Sequence, residues 1–162
     1  MDFVAIDFET ATFARNSACA IGMVTVENSV IVDEYYTLIR PPNNQYFWQN
    51  MNVHGIRPRD TEDECDFGFL FPEIYKRLEG KTLVAHNESF DRNVLINTME
   101  HYNLDYAAHS LPFRWECTCK IYRRKGYKPA SLSACCSRQN IALNHHHALS
   151  DAIGCAKLYL MQ

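Results

Sequence analysis

The sequence lacks the features of a membrane-bound or secreted protein. No apolar run approaches the length of a membrane span, and no signal peptide is recognisable where Met1 leads directly into a predicted strand. The seven cysteines are an odd number and do not form the paired framework of a small disulfide-bonded domain. These absences predict a soluble protein with free thiols in the cytoplasm, a reducing compartment.

Internal repeats, low-complexity tracts and flexible linkers are also missing. We therefore predict one domain over residues 1–162, a length at which folding buries roughly two-thirds of the surface of the unfolded chain. The last predicted helix runs to Gln162 without a stop signal, so we expect the natural protein to continue beyond this residue.

Excess positive charge, the usual property of a nucleic-acid-binding protein, is absent, because the net charge is −3. The charges are segregated, however, into an acidic segment over residues 60–66 and a basic segment over residues 120–128. Four of the acids are also candidate metal ligands, and bound divalent cations would offset their charge. Net charge therefore does not exclude a nucleic-acid partner.

Apolar residues recur first with the spacing of strands and then with alternating helix and strand spacing, which predicts an α/β domain. Predicted strands cover residues 3–8, 18–26, 30–38, 82–86 and 115–118. Predicted helices cover residues 67–78, 87–101, 131–138 and 148–162. The segment 43–66 is predicted to be a long loop that contacts the substrate.

Two carboxylates share one face of the first predicted strand. Asp7 and Glu9 are two residues apart, and residues at this spacing point to the same side of a strand. Like charges this close favour a cation between them. The alternative is an exposed polar strand edge, which the otherwise apolar neighbours Val4, Ile6 and Phe8 argue against.

Two further acids lie in predicted helices. Asp91 falls in the first turn of its helix, where the helix dipole alone could explain a carboxylate. Asp151 has apolar neighbours in the last helix, and burying it without a cation would be costly. Ligand oxygens of this kind suit Mg²⁺ or Mn²⁺, and two such ions roughly 4 Å apart can hydrolyse a phosphodiester.

The four acids lie in three short motifs. The motifs are Asp7-Phe8-Glu9-Thr10, His86-Asn87-Glu88-Ser89-Phe90-Asp91 and His146-His147-Ala148-Leu149-Ser150-Asp151, and a fourth element is Val53-His54-Gly55-Ile56. In order and spacing, the three motifs resemble those of the DnaQ-like 3′→5′ exonucleases of the DEDDh group, and the fourth element resembles the family's substrate loop. The resemblance covers nearly all of the chain.

This resemblance implies an RNase H-like α/β fold, with a mixed sheet whose first three strands are antiparallel and with flanking helices. It implies release of nucleoside 5′-monophosphates from a 3′ end. We expect single-stranded DNA to be the substrate, with short RNA as the competitor within the family. Asp7, Glu9, Asp91 and Asp151 would bind two Mg²⁺ or Mn²⁺ ions, and His146 would be the general base. Contacts to the terminal nucleotide would come from Thr10, Val53, His54, Asn87 and Phe90.

Several alternatives remain open from the sequence. His147, four residues before Asp151, would share its face on a regular helix and is the second candidate for the base. A zinc site that combines His145 or His147 with Cys135 and Cys136 is disfavoured, because the usual two-residue spacer between the cysteines is missing. The protein could also be a catalytically silent module that binds nucleic acid or a polymerase, although no metal carboxylate has been lost.

Two segments have both a binding and a structural explanation. The basic segment 120–128 carries five cations and two tyrosines, which could hold phosphates and stack on bases or form a solvated helix end. Phe47 and Trp48 could stack on a single strand or cover the sheet edge. We expect Trp48 to pack against the sheet edge, and for Phe47 both explanations remain open. The sequence does not indicate an oligomeric state.

Overall fold

The computed structural model describes residues 1–162 and contains a five-stranded sheet with helices on both faces. The strands are β1 (Phe3–Thr10), β2 (Ala18–Glu27), β3 (Val30–Leu38), β4 (Thr82–Ala85) and β5 (Glu116–Cys117). The helices are α1 (Trp48–His54), α2 (Pro58–Thr61), α3 (Phe67–Leu78), α4 (Glu88–His101), α5 (Thr118–Arg124), α6 (Leu132–Arg138) and α7 (Ala148–Leu160), with one 3₁₀ turn at Pro42–Asn44.

The sheet is mixed, with the strand order β3-β2-β1-β4-β5. The first three strands are antiparallel to one another, whereas β4 runs parallel to β1 and β5 runs parallel to β4. This topology confirms the predicted RNase H-like α/β fold. It also places β1 at the centre of the sheet, so that the end of β1 and the end of β4 meet at the same edge.

The two faces of β1 contribute to separate parts of the core. Val4, Ile6 and Phe8 belong to a cluster of 19 buried residues that includes side chains of α3 and α4. Phe3 and Ala5 instead pack with residues of α7 in a cluster of eight. Asp7 and Glu9 alternate with the first group, so they lie on the α7 face of the strand.

Helix α7 approaches the sheet closely because β2 has a glycine beneath it. A Cβ atom built on Gly22 would lie 2.3 Å from the carbonyl carbon and oxygen of Ala148, the first residue of α7. Gly22 is also the residue that pairs with Asp7 across the β1–β2 ladder. The missing side chain therefore lets the first turn of α7 rest directly beside the carboxylates of β1.

The segment between β3 and α3 differs from the prediction. The expected loop over residues 43–66 contains the helices α1 and α2, and α1 ends at Gly55, which adopts the left-handed conformation with φ of 77°. The expectation that Trp48 packs is wrong, because its side chain is 64% exposed at the start of α1. Phe47 is half-buried, and its ring meets that of Phe13 edge to face.

Strand β5 ends earlier than predicted, because Thr118 begins α5.

The cysteines bear on the predictions of free thiols and of a zinc site, and the helix lengths bear on the prediction that the chain has no membrane span. All seven cysteines are free thiols, and six of them are buried. Cys135 and Cys136 lie fully inside the core, and neither belongs to a group of potential metal ligands, so the zinc site with these residues is not supported. No helix combines the length and the apolarity that crossing a bilayer requires.

We predict that Gly22→Ala destabilises the protein, because the added methyl group would overlap the backbone of α7. Overpacking of this kind costs about 1–3 kcal/mol or more of unfolding free energy. Chemical denaturation monitored by circular dichroism measures the effect, and Gly22→Ser should destabilise further. Unchanged midpoints for both variants would show that α7 does not depend on this contact.

Candidate active site

Four carboxylates from three distant segments line one cavity of about 870 Å³. Asp7 and Glu9 come from the second half of β1, Asp91 from the first turn of α4 and Asp151 from the first turn of α7. The structure therefore brings together all four acids that the sequence singled out. Three of them are almost inaccessible to solvent, with Glu9, Asp91 and Asp151 exposed by 9%, 2% and 3%.

A hydrogen bond ties Asp91 to the first strand. The backbone N–H of Phe8, the residue between Asp7 and Glu9, donates to Asp91 Oδ1 at 2.9 Å. Asp91 also lies at the N-terminal end of α4, where the helix dipole favours a negative charge. The contact fixes the spacing between the carboxylates of β1 and that of α4.

The two oxygens of the Asp151 carboxylate have different surroundings. Oδ2 accepts hydrogen bonds from the backbone N–H of His146 at 3.0 Å and from His145 Nδ1 at 2.9 Å. Oδ1 is buried and has no hydrogen-bond partner. A buried acceptor without a partner costs free energy, and a bound cation is one way to satisfy it.

Burial and repulsion between the carboxylates raise the pKa values of Asp7, Glu9 and Asp91. Loss of hydration, followed by repulsion from Asp151 and Asp91, raises the pKa of Glu9 to about 8. Burial raises the pKa of Asp91 to about 8 even though the Phe8 N–H stabilises its charge. For Asp7, burial and the charges of Asp91, Glu9 and Asp151 raise the pKa well above its usual value. Ionising all of these groups near neutral pH therefore requires positive charge in the cavity.

The donor set fits divalent cations that prefer oxygen ligands. Carboxylate oxygens of Asp7, Glu9 and Asp151 lie within 4.8 Å of one another. Asp91 is outside this trio, and one of its oxygens is engaged by Phe8, but its charge raises the pKa values of Asp7 and Glu9. Together with the unpartnered oxygen of Asp151, this arrangement suits Mg²⁺ or Mn²⁺.

The three consecutive histidines before α7 are divided between the cavity and the surface of β3. His146 lines the cavity, and its ring stacks on that of His145 with centroids 3.8 Å apart. His147 instead stacks on Tyr36 of β3, with centroids 4.7 Å apart, and does not line the cavity. Of the two candidates for the general base, only His146 is placed beside the carboxylates. Burial and the neighbouring His145 lower the pKa of His146 below its usual value.

A smaller cavity of about 220 Å³ adjoins the first and shares Glu9 and Phe90 with it. Four of the five predicted nucleotide-contacting residues line it, and the fifth, Asn87, lines the larger cavity. The four are Thr10, Val53, His54 and Phe90. Sequence reasoning missed three further residues of this cavity, which are Phe13, Gln49 and Asn50.

His54 and Asn50 fix the end of β1 at this smaller cavity. The Ile56 N–H donates to His54 Nδ1 at 3.0 Å, so Nε2 carries the proton and donates to the Thr10 carbonyl at 3.1 Å. Burial lowers the pKa of His54, which favours this neutral form. The side-chain amide of Asn50 donates to the carbonyls of Thr10 and Thr12 at 2.9 and 3.1 Å. Helix α1 is thereby joined to the strand that carries Asp7 and Glu9.

His86 holds another part of the wall of the larger cavity. Its Nε2 donates to the Ala130 carbonyl at 3.0 Å, and its Nδ1 accepts from the Thr118 hydroxyl at 2.9 Å. Burial lowers the pKa of His86 to about 4, so the ring is neutral and keeps both bonds near neutral pH. Ala130, which lines the same cavity as the carboxylates, is thereby held in place.

The basic segment 120–128 divides between the cavity and other contacts. Arg123, Tyr127 and Lys128 line the larger cavity. Lys120 instead pairs with the buried Glu88 at 2.6 Å, and Lys125 lies over the ring of Tyr122. Part of this segment can therefore meet a negatively charged ligand, whereas another part stabilises the fold.

The protein is thus an α/β domain with clustered carboxylates at the end of its central strand. The exonuclease family model RNase_T matches residues 4–159, and the chain belongs to this family of DnaQ-like 3′→5′ exonucleases.

Individual relatives match over almost the whole chain. A PolC-type DNA polymerase III of Thermotoga petrophila is 28% identical over 162 residues, which are 98% of this chain and 12% of the polymerase. The 3′-5′ exonuclease DinG of Staphylococcus aureus is 27% identical over 172 residues, covering 98% of this chain and 18% of DinG. The chain thus spans less than a fifth of the length of these relatives.

A solved structure described as exonuclease X in complex with 5′ overhanging duplex DNA superimposes with a TM-score of 0.73. It is 28% identical to this protein, and the match covers 98% of this chain and 90% of that one. The chain in that structure is thus similar to this chain in length and fold.

Without divalent cations, we predict that stability falls as the pH rises from 6.5 to about 8. Over this range the folded protein retains protons on Glu9 and Asp91 that the unfolded chain has released, so raising the pH favours unfolding. The low pKa of buried His86 has the opposite effect, but only below its unfolded value of 6.5. Thermal unfolding in EDTA across this pH range measures the slope of stability against pH.

Added Mg²⁺ or Mn²⁺ should remove this slope, because the cations neutralise the repulsion. Stability that stays constant or increases with pH in EDTA would contradict the raised pKa values. The same result would argue against a cation requirement at the cluster.

Proposed function

We propose that the protein is a metal-dependent 3′→5′ exonuclease that hydrolyses the 3′ end of single-stranded DNA and releases nucleoside 5′-monophosphates. Membership of the exonuclease family supports the reaction class. The DNA preference is supported by the exonuclease X structure, described with DNA, and by the polymerase relative.

One observation carries the proposal, namely that four acids from three segments form a single buried cluster with an unpartnered oxygen on Asp151. Such a cluster is unfavourable for stability alone, as the raised pKa values of Glu9 and Asp91 indicate. Its retention is accounted for if it binds cations for a reaction.

Asp7, Glu9, Asp91 and Asp151 would hold two Mg²⁺ or Mn²⁺ ions. When bound, the ions would lower the pKa of water and stabilise the charge that develops on the leaving oxygen. The Phe8 N–H and the first turns of α4 and α7 keep the four side chains in place. Little rearrangement would then be required when a substrate arrives.

His146 would act as the general base and take the proton of the attacking water at its imidazole. Its lowered pKa keeps the ring neutral, and able to accept a proton, at pH 7 and above. Its backbone N–H holds Asp151 Oδ2 at the same time. The position of the base is therefore coupled to that of a metal ligand.

The terminal nucleotide would occupy the smaller cavity, with Phe90 and Val53 against the base or sugar and Thr10 and Asn87 nearby. Arg15 lies 4.4 Å from the centre of the Phe90 ring and stabilises its orientation. The small volume of this cavity favours a frayed or single-stranded end over a paired one. Arg123 and Lys128 would contact phosphates from the opposite wall.

A polymerase or another replication protein is the proposed macromolecular partner, because one relative is a polymerase of which this chain matches a small part. Short RNA remains the competing substrate. The contact to a 2′-hydroxyl would decide between the two.

We predict that His146→Ala lowers the rate of 3′-end hydrolysis by roughly 10²–10⁴-fold, the usual contribution of a general base. Oligonucleotides of DNA and RNA, labelled at either end and incubated with Mg²⁺, Mn²⁺ or EDTA, measure the rate and the polarity. His147→Ala is the matched control and should stay within a few-fold of wild type, because its ring lies on Tyr36.

Metal-dependent shortening from the 3′ end that His146→Ala abolishes would support the proposal and rank the two substrates. Well-folded protein that cleaves nothing in either metal would favour the silent binding module instead. Equal loss of hydrolysis in His146→Ala and His147→Ala would contradict the role of His146 as the general base.

We predict that Glu9→Gln abolishes hydrolysis yet stabilises the metal-free protein above pH 8. The substitution removes a buried charge that the cluster disfavours, which should add about 1–3 kcal/mol to the unfolding free energy. Denaturation in EDTA and the nuclease assay measure the two effects. The exposed Glu100→Gln is the control and should change neither. A destabilised Glu9→Gln protein would contradict the repulsion between Glu9 and the neighbouring carboxylates.

A further inference from the structure

The loop before α7 adds nitrogen ligands to the edge of the carboxylate cluster. His145 and His146 are consecutive, yet their rings stack with an interplanar angle of 24°. Consecutive side chains diverge in an extended chain. Here His146 has φ of 68°, in the left-handed region, so the backbone turns and both rings lie on the same side.

Asp151 completes a group of three. One ring nitrogen from each histidine and one carboxylate oxygen of Asp151 lie within 4.8 Å of one another. Ligands of a tetrahedral zinc ion lie about 2.0–2.2 Å from the metal and hence roughly 3.3–3.6 Å apart. Both histidines are exposed loop residues, so side-chain rotation can bring their nitrogens together without moving the core.

We propose that His145, His146 and Asp151 form a binding site for Zn²⁺ or a similar transition-metal ion. Two imidazoles and a carboxylate are a typical zinc ligand set, whereas Mg²⁺ prefers oxygen ligands alone. His145 is the residue that makes the difference. Without it, the group contains only one imidazole beside the carboxylates.

Occupation of this site would inhibit the nuclease. The zinc ion would engage the imidazole that serves as the general base and one of the four carboxylates. The inhibitory consequence rests on the proposed function, but the binding itself does not. The site would make the enzyme sensitive to zinc in competition with Mg²⁺ or Mn²⁺.

The histidine triplet supplies its own control. His147 is next to His146 in the chain, but its ring stacks on Tyr36 and belongs to neither group of potential ligands. His145→Asn and His147→Asn therefore remove the same side chain from adjacent positions, one inside the proposed site and one outside it. Thermal unfolding of both variants verifies that they are folded.

Calorimetric titration of metal-free protein with ZnCl₂ tests the binding. Wild type should bind zinc, and His145→Asn should weaken the binding at least 10–100-fold, the loss usually caused by removing only an outer-shell partner of a metal ligand. His147→Asn should bind like wild type. In the nuclease assay with Mg²⁺, the inhibitory zinc concentration should rise by a similar factor in His145→Asn alone.

Equal zinc affinity of the three proteins would overturn the proposal, as would equal weakening in both variants. These outcomes are independent of whether the protein hydrolyses DNA, because the titration contains no substrate. Absence of Mg²⁺-dependent hydrolysis together with zinc binding that requires His145 would instead reject the proposed function and retain the metal site.

Discussion

The close packing of α7 on the centre of the sheet is the constraint on which the candidate site depends. Gly22 leaves the space in which Ala148 meets β2, and this contact brings the first turn of α7 beside β1. Asp151 then faces Asp7 and Glu9 across a few ångströms. A larger residue at position 22 would separate these groups. The absence of a side chain at Gly22 therefore determines how closely the carboxylates of β1 and α7 approach one another.

The resulting cluster opposes the stability of the fold that contains it. Three acids with raised pKa values and one unpartnered oxygen are collected in a nearly inaccessible place. Two well-packed regions on either side of the sheet offset this cost, since β1 contributes apolar side chains to both. The backbone of the site is thus well packed on both faces of the sheet, whereas its carboxylates lack a balancing positive charge. This combination suits cation binding.

Much of this arrangement was predictable because it follows from strand alternation and from local motifs. The alternation of Val4, Ile6 and Phe8 with Asp7 and Glu9 identifies the two faces of β1, and the motif spacing identifies Asp91 and Asp151. Helix α1 and the exposed side chain of Trp48 were not predictable from these signals, because the residue types of a seven-residue segment do not reveal which side chains will pack.

The contact between His145 and Asp151 also escaped prediction, since it depends on the left-handed backbone of His146, which residue types alone do not specify. Three adjacent histidines were visible in the sequence. Their division between the cavity and Tyr36 is a property of the turn.

The hydrogen bond from Phe8 to Asp91 joins residues 83 positions apart, and Asp151 lies 60 positions further along the chain. During synthesis on a ribosome, the acids of β1 emerge first and that of α7 emerges last. An incomplete chain that has not yet added α7 carries only three of the four carboxylates, and the backbone of His146 lacks Asp151 as its hydrogen-bond partner. Any activity that needs all four carboxylates therefore begins only after α7 has been translated and has packed on the sheet.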